Sequence, residues 1–379
     1  ANNAVVYATT SSTTTSTVAA LGAGTLTPFT ASRYNFAPTN YFQRPDERYT
    51  AGVFANYEIN DTFKPYLEFM FMDDRTLAQI APSGDFGNTL AINCDNPLLS
   101  AQQLSVVCSP TNLITGFLGN YPLVGATNPN PDAPIDFINP VVGAANPTYQ
   151  QGFFQLLRRN VEGGPRVNDL QHTAYRGVLG TRGDLSKAWS YDAYFQYGRT
   201  NYNQVYKNEF SAARLRNALD AVVNPANGQV VCRSVLTGAD PNCVPYDVFT
   251  GAPISAAAIN YLSATGFQKG ATSEQVANVN FTGLLGEYGI KSPWAEEGFG
   301  INVGAEYRKE SVFLDTDNAF QTGDLTGQGA PTLPISGNFR VLEWFAEAQV
   351  PIVEKSWVYD LSINAGYRKS YYKLGNGGK

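Results

Sequence analysis

Polar and apolar residues alternate along much of the chain. From the charged lead-in Arg44–Arg48 onward, Tyr49, Ala51, Val53, Ala55, Tyr57 and Ile59 fall on one face of an extended backbone. Thr50, Gly52, Asn56, Glu58 and Asn60 fall on the other, with Phe54 the one large exception. A period of two is strand spacing, because successive side chains point to opposite sides. Asn60-Asp61-Thr62 supplies turn residues, and Leu67, Phe69 and Phe71 then alternate with Tyr66, Glu68, Met70, Met72 and Asp74. Two such runs around an Asn/Asp turn predict a β-hairpin.

The same pattern recurs six more times. Strand three is expected over about Asp169–Arg182 and strand four over Trp189–Tyr206. Strand five covers about Val276–Ile290 and strand six Phe299–Phe313. Strand seven covers Asn338–Val350, and strand eight runs from Trp357 to about Tyr371. Apolar rows ending in Tyr or Trp occupy one face, such as Ile301, Val303, Ala305 and Tyr307, or Leu342, Trp344, Ala346 and Ala348. The other face carries Glu58, Arg176, Glu306, Arg308, Glu343, Glu347 and Arg368.

The connections discriminate between folds. Short turns (Gly183–Ala188, Lys291–Glu297, Pro351–Ser356) alternate with longer segments: Arg75–Asn168, Lys207–Ser273 and Leu314–Gly337. A meander crossing a membrane places alternate connections on opposite sides, and transmembrane barrels pair short turns at one rim with long loops at the other. A strand at Phe153–Arg159 would break that alternation, so Phe153–Arg166 is read as an extension of strand three, with Gly163-Gly164-Pro165 as a bulge. Short helices are expected at Ser211–Val222 and Ile254–Ser263 within the second long loop.

Composition agrees. Only 15% of the 379 residues are charged, aromatics reach 13%, and there are 35 Gly, a profile of extensive β-structure with polar loops. The net charge of −6 gives no electrostatic support for nucleic-acid binding. No run of about 18 apolar residues predicts a transmembrane helix, as expected where every second residue is polar. Four cysteines fall as two local pairs, Cys94 with Cys108 and Cys232 with Cys243, which predicts loop disulfides in an oxidising compartment. Residues 1–48 are read as a loop and lead-in, and 49–379 as one partial barrel domain. With neither an initiating Met nor a leader pattern, and with a break just after a strand at Lys373–Lys379, the chain is expected to be an internal piece of a longer precursor.

Three stretches resemble a known family. FAPTNYFQRPDERYTAGVFANYEIN (36–60), RRNVEGGPRVNDLQHTAYRGVLG (158–180) and GFGINVGAEYRKE (298–310) are similar to barrel segments of TonB-dependent outer-membrane receptors of Gram-negative bacteria. That resemblance, covering nearly everything from Asn35 onward, implies an all-β fold: an antiparallel meander forming part of a transmembrane β-barrel, here about eight of roughly 22 strands. It implies long extracellular loops with short helices, short periplasmic turns, and import of a scarce nutrient (siderophore, vitamin or oligosaccharide) driven through the TonB complex. The implied partners are outer-membrane lipid, a plug domain and further barrel strands outside this segment, the TonB complex, and an unidentified small ligand. No cofactor, metal or enzymatic activity is expected.

Other motifs carry plainer readings. His172 near Asp169 and Arg176 lacks a nucleophile motif and reads as a wall residue. Asp315-Thr316-Asp317-Asn318 lacks the register of a calcium loop, and Arg182-Gly183-Asp184 falls beside a short turn. Two alternatives to the transporter are a passive porin, with about 16–18 strands, and a secreted β-sandwich or β-solenoid acting on polysaccharide, which needs a converging carboxylate pair.

Overall fold

A computed structural model describes residues 4–9, 16–22, 24–28, 34–89, 91–109, 112 and 151–375. Eight strands form one antiparallel sheet in simple sequential order. They are β1 (Asp46–Asn56), β2 (Lys64–Pro82), β3 (Pro165–Asp184), β4 (Trp189–Phe210), β5 (Ser263–Leu284), β6 (Gly300–Thr316), β7 (Ile335–Glu354) and β8 (Asp360–Leu374). Each strand pairs with its sequence neighbours, and the sheet does not close on itself.

The register makes the two faces coherent across the whole sheet. Leu67 stands opposite Leu179, which stands opposite Phe195, then Ala277, Tyr307, Leu342 and Tyr371. One residue further along, Glu68, Val178, Gln196, Val276, Arg308 and Val341 share the opposite face. A slip of one residue in any pairing would mix these rows. No second sheet covers the apolar rows among the described residues: Leu179 is 64% exposed, Phe195 52%, Trp344 55% and Tyr367 69%.

The turns lie at one end of the sheet and the excursions at the other. The turn-side hairpins close at Asn56–Tyr66, Asp184–Ser190, Leu284–Gly300 and Glu354–Asp360. The excursions 83–164, 211–262 and 317–334 leave from the other end. Successive hairpins are staggered in register. The first closes level with Tyr194 of β4, by way of Tyr66 and Gly180. The second closes at Ser190 of β4, and the third one residue beyond Trp189. From the Tyr194 row to the Ala188 row is six residues over four strand steps. At roughly 3.3 Å per residue and 4.8 Å between strands, that stagger tilts the strands by about 45° from the normal to a line through the turns.

Several strands run further than the alternation predicted, mostly toward the excursions, although β7 also continues past Val350 to Glu354 and β3 past Arg182 to Asp184 on the turn side. β2 continues to Pro82, β3 starts at Pro165, β4 reaches Phe210, and β5 starts at Ser263 rather than Val276. β5 also ends earlier, at Leu284, where Leu285–Tyr288 form a 3-10 turn. The segments added toward the excursions have polar side chains on both faces, so no apolar period marks them.

The expected extension at Phe153–Arg166 holds at Pro165–Arg166, where the register of β3 shifts, and is corrected for the residues before them. Gln151–Phe153 pairs with Ala91–Asn93, and Gln155–Arg159 pairs with Ala4–Thr9 and Gly84–Phe86 in a separate five-stranded sheet. Val161–Gly163 is a 3-10 turn between that sheet and β3. The lead-in 1–48 likewise contributes strands to this sheet, at Ala4–Thr9, Ser16–Gly22 and Thr25–Pro28. The prolines Pro122, Pro129, Pro131, Pro134, Pro140 and Pro147 of the first long loop lie outside the described residues.

The first two excursions pack into a head with its own core. Ile92, Val107, Phe154 and Leu156 of the first meet Leu215, Leu219, Tyr246, Phe249 and Leu262 of the second, together with Phe210. The helices there are α1 (Ala101–Val107), α2 (Ala212–Leu219), α3 (Arg233–Thr237) and α4 (Ala256–Leu262), and α5 (Asn318–Thr322) lies in the third excursion. Ser211 and Ser255 cap α2 and α4 by accepting from Arg214 N and Ala258 N, which fixes where each helix begins.

Candidate functional site

On the polar face the strands present side chains at every second residue, and the register brings acids, bases and amides within reach across strands. Arg176 of β3 reaches both ways. Its Nη1 lies 3.0 Å from Glu68 Oε2 on β2, and its Nε donates to Gln196 Oε1 on β4 at 2.8 Å. Gln196 Nε2 then donates to Glu274 Oε1 on β5 at 2.6 Å. Four strands are thus joined by one chain of charge-assisted hydrogen bonds, which are stronger than neutral ones.

Further along the same face, Asn278 Nδ2 donates to Glu306 Oε2 at 3.0 Å, and Arg308 Nε stands 3.4 Å from Glu310 Oε1. Glu343 is 5% exposed; Ser370 Oγ donates to it at 2.5 Å and Arg368 Nη1 lies 3.7 Å away. Glu347 borders a hollow of about 510 Å³ that also includes Asn302, Gln349 and Asn364. Arg176, Glu306, Arg308, Glu343, Glu347 and Arg368 therefore share one face. Glu58 stands apart, because β1 ends at Asn56. It occupies the first hairpin turn, 3.2 Å from Lys64 Nζ.

The sheet curls enough for residues of β1 through β7 to line a single hollow of about 1170 Å³. Its lining is mixed. Arg176, Glu274 and Glu310 supply charge, Thr50, Thr200 and Thr272 supply hydroxyls, and Phe54, Met70, Met72, Val312 and Phe339 supply apolar surface. Phe54 was legible as the exception to alternation; the structure puts it in this hollow, 67% exposed. Glu68, Gln196 and Glu274 were not singled out from the sequence, although their positions have the same parity as Arg176 in register.

The remaining motifs have structural partners. His172 Nδ1 lies 3.8 Å from Asp74 Oδ1, and its ring packs on Tyr202. Asp169 faces the other side of the sheet, 2.8 Å from Arg75, so the two never form a cluster. Asp317 caps α5 through Phe320 N, which accounts for the acidic run before it. Arg182 lies over the Tyr66 ring. No cluster of metal-ligating side chains occurs among the described residues. In the head, Cys94 is joined to Cys108 and Cys232 to Cys243.

What this face can do is bind. It offers fixed donors and acceptors beside apolar side chains, which suits a solute or a protein surface with both polar and apolar parts. Comparison with protein-family models finds no match, and no curated protein matches the chain.

Proposed function

We propose that the chain is a section of the wall of a TonB-dependent outer-membrane transporter that imports a scarce nutrient such as a siderophore, vitamin or oligosaccharide. The apolar face meets lipid, the polar face meets the lumen, the short turns face the periplasm, and the head stands outside the cell.

The observation that carries the membrane part is the exposed apolar face together with its stagger. Eight strands leave Leu179, Phe195, Trp344 and Tyr367 uncovered in a contiguous band, far beyond what a monomer shows to water. The hairpins step along the register at about 1.5 residues per strand. That is the tilt of transmembrane barrel strands, about 35–45°. Excursions restricted to one rim support the same reading. The energy coupling rests on the resemblance of residues 36–60, 158–180 and 298–310 to the receptor family, and the head adds a surface suited to ligand capture.

The test has two parts. Cell fractionation should place the protein in the outer membrane, heat-modifiable in detergent gels. Uptake of the ligand should stop when the TonB protein is deleted or the proton gradient is collapsed. A protein soluble without detergent overturns the reading, and uptake that survives loss of TonB makes it a passive channel.

A further inference from the structure

Toward the excursions the apolar face meets basic residues, and on the arc formed by β6, β7 and β8 these stand without acidic partners among the described residues. On β4 Tyr197 is followed on this face by Arg199; on β6 Tyr307 is followed by Lys309. On β7 Leu342 gives way to Arg340, and on β8 Tyr367 gives way to Lys369, with Lys373 beyond Tyr371. At the same edge β1 and β3 carry Glu47 and Thr173, and β2 carries Asp73 and Arg75, the latter directly opposite Glu47.

Lys309 stands directly opposite Arg340, and Arg340 directly opposite Lys373. Like charges in opposed cross-strand positions repel, and here nothing on the face offsets them. Other cations of this face are neutralised: Arg75 and Lys207 lie 2.8 and 3.5 Å from Asp169, and Lys269 lies 3.9 Å from Asp315. Lys309, Arg340 and Lys373 have no acidic partner among the described residues and are exposed. Lys369 Nζ lies over the Tyr371 ring, 5.8 Å from its centre. With the strand stagger of about 1.5 residues per step, Lys309, Arg340 and Lys369 come to nearly one level, just above Tyr307 and Tyr367.

We propose that this arc binds the phosphate of an anionic lipid headgroup, a reading that rests on the membrane assignment above. The acyl chains lie along Val303, Ala305 and Ala346. The phosphate accepts charge-assisted hydrogen bonds from Lys309, Arg340, Lys369 and Lys373, whose long stems carry their charges toward the interface. The bound anion supplies the negative charge that the protein itself omits, and it does so on one side of the wall only.

The experiment uses the full-length protein in phosphatidylcholine vesicles with and without phosphatidic acid, compared with a K309Q/R340Q/K369Q/K373Q variant. Flotation with the neutral vesicles reports membrane insertion, and native mass spectrometry reports phosphatidic acid retained on the protein. The expected result is insertion of both proteins and a drop of about tenfold or more in retained phosphatidic acid for the variant. A control variant at the paired cations, R75Q/K207Q/K269Q, should retain the lipid. Insertion with equal retention by all three proteins overturns the lipid site and leaves the membrane reading standing. Failure of the wild type to float overturns both. If only the quadruple variant fails to insert, wild-type enrichment of phosphatidic acid over phosphatidylcholine decides the matter: enrichment that falls with salt supports the site, and none refutes it. Displacement of the lipid by inorganic phosphate alone at matched concentration assigns the arc to a free anion and overturns the lipid assignment.

Discussion

Arg166 and Glu209 form a buried ion pair, Nη1 to Oε1 at 3.2 Å, where all three excursions leave the wall. Glu209 is fully buried and also accepts from Ser83 Oγ of the first excursion and Gly327 N of the third. Arg166 Nε donates to Ala81 O at 2.9 Å, and Nη1 to Gly327 O at 3.3 Å. Removing one member leaves the other charge buried without its partner, a loss of roughly 3–5 kcal/mol. Glu209→Gln and Arg166→Met should therefore loosen the three excursions together. Hydrogen exchange should rise at residues 83–89, 211–219 and 324–327 while β6–β8 stay protected. A change confined to one excursion would contradict this linkage.

The head should also depend on its disulfides. Cys94 and Cys108 are separated by 14 positions in sequence and Cys232 and Cys243 by 11, and closing loops of that size constrains the unfolded chain by about 3 kcal/mol each. Reduction, or paired Cys→Ser changes, should make the head sensitive to protease before the wall. Limited proteolysis followed by mass spectrometry checks the order of cleavage.

Acidity should stabilise the head. Burial raises the Asp85 carboxyl to about 6, against opposing hydrogen bonds from Thr89 and the Asn88 and Gly87 amides. Burial likewise raises Asp220 to about 6, with Arg233 pulling the other way. Both folded values lie above the ordinary 3.8. Their contribution is therefore fully present below pH about 3.8 and is lost as the pH rises through about 6, by up to about 3 kcal/mol per group. Melting of the head should shift to higher temperature between pH 8 and pH 5. Asp85→Asn should remove roughly half of that dependence, leaving the part due to Asp220, and a wild-type head equally stable at both values would refute it.

The polar face contains a crossing that only glycine permits. Tyr66 of β2 stands opposite Gly180 of β3, which stands opposite Tyr194 of β4. The Tyr66 side chain passes over Gly180 and its hydroxyl donates to Asp192 Oδ1 on β4 at 2.8 Å. A Cβ at position 180 would come within 2.3 Å of the Tyr66 ring. Gly180→Val should displace Tyr66 and cost roughly 1–3 kcal/mol. Denaturant titration measures the cost, and Tyr66→Ala in the same protein should relieve most of it.

How much of this could be read from the chain follows from what lies on each side of a residue. Strands with lipid-like apolar rows, such as Ile301–Tyr307, announce themselves because one face alternates against the other. The part of β5 from Ser263 to Gln275 does not, because Thr265, Lys269, Thr272 and Glu274 leave neither face continuously apolar. Local signals worked where they were local: Ser211 and Ser255 cap the two expected helices. Long-range pairing had no such signal. Phe154 and Leu156 join Leu215 and Tyr246 from a separate excursion, so the head core is invisible to any short window. Arg176 was legible as a residue of the polar face. Its bridge to Glu68 and Gln196 depended on a register that only the folded sheet fixes.

A charge on the apolar face should cost more than one on the polar face. Val303→Arg or Ala346→Arg, in the middle of the exposed band, should destabilise the inserted protein by about 2–4 kcal/mol. Asn302→Arg, one residue along, should cost far less. Urea unfolding from vesicles gives the comparison, and equal costs would contradict the assignment of faces.

The most direct measurement is a nitroxide scan of residues 301–308 in lipid vesicles, reading collisions with oxygen and with a water-soluble nickel chelate. No free cysteine occurs among the described residues, so each label can be placed singly. Positions 301, 303, 305 and 307 should favour oxygen and positions 302, 304, 306 and 308 the chelate, with a period of two. Equal access of the chelate to both sets, or protection of both from lipid, would contradict a wall with one face toward lipid.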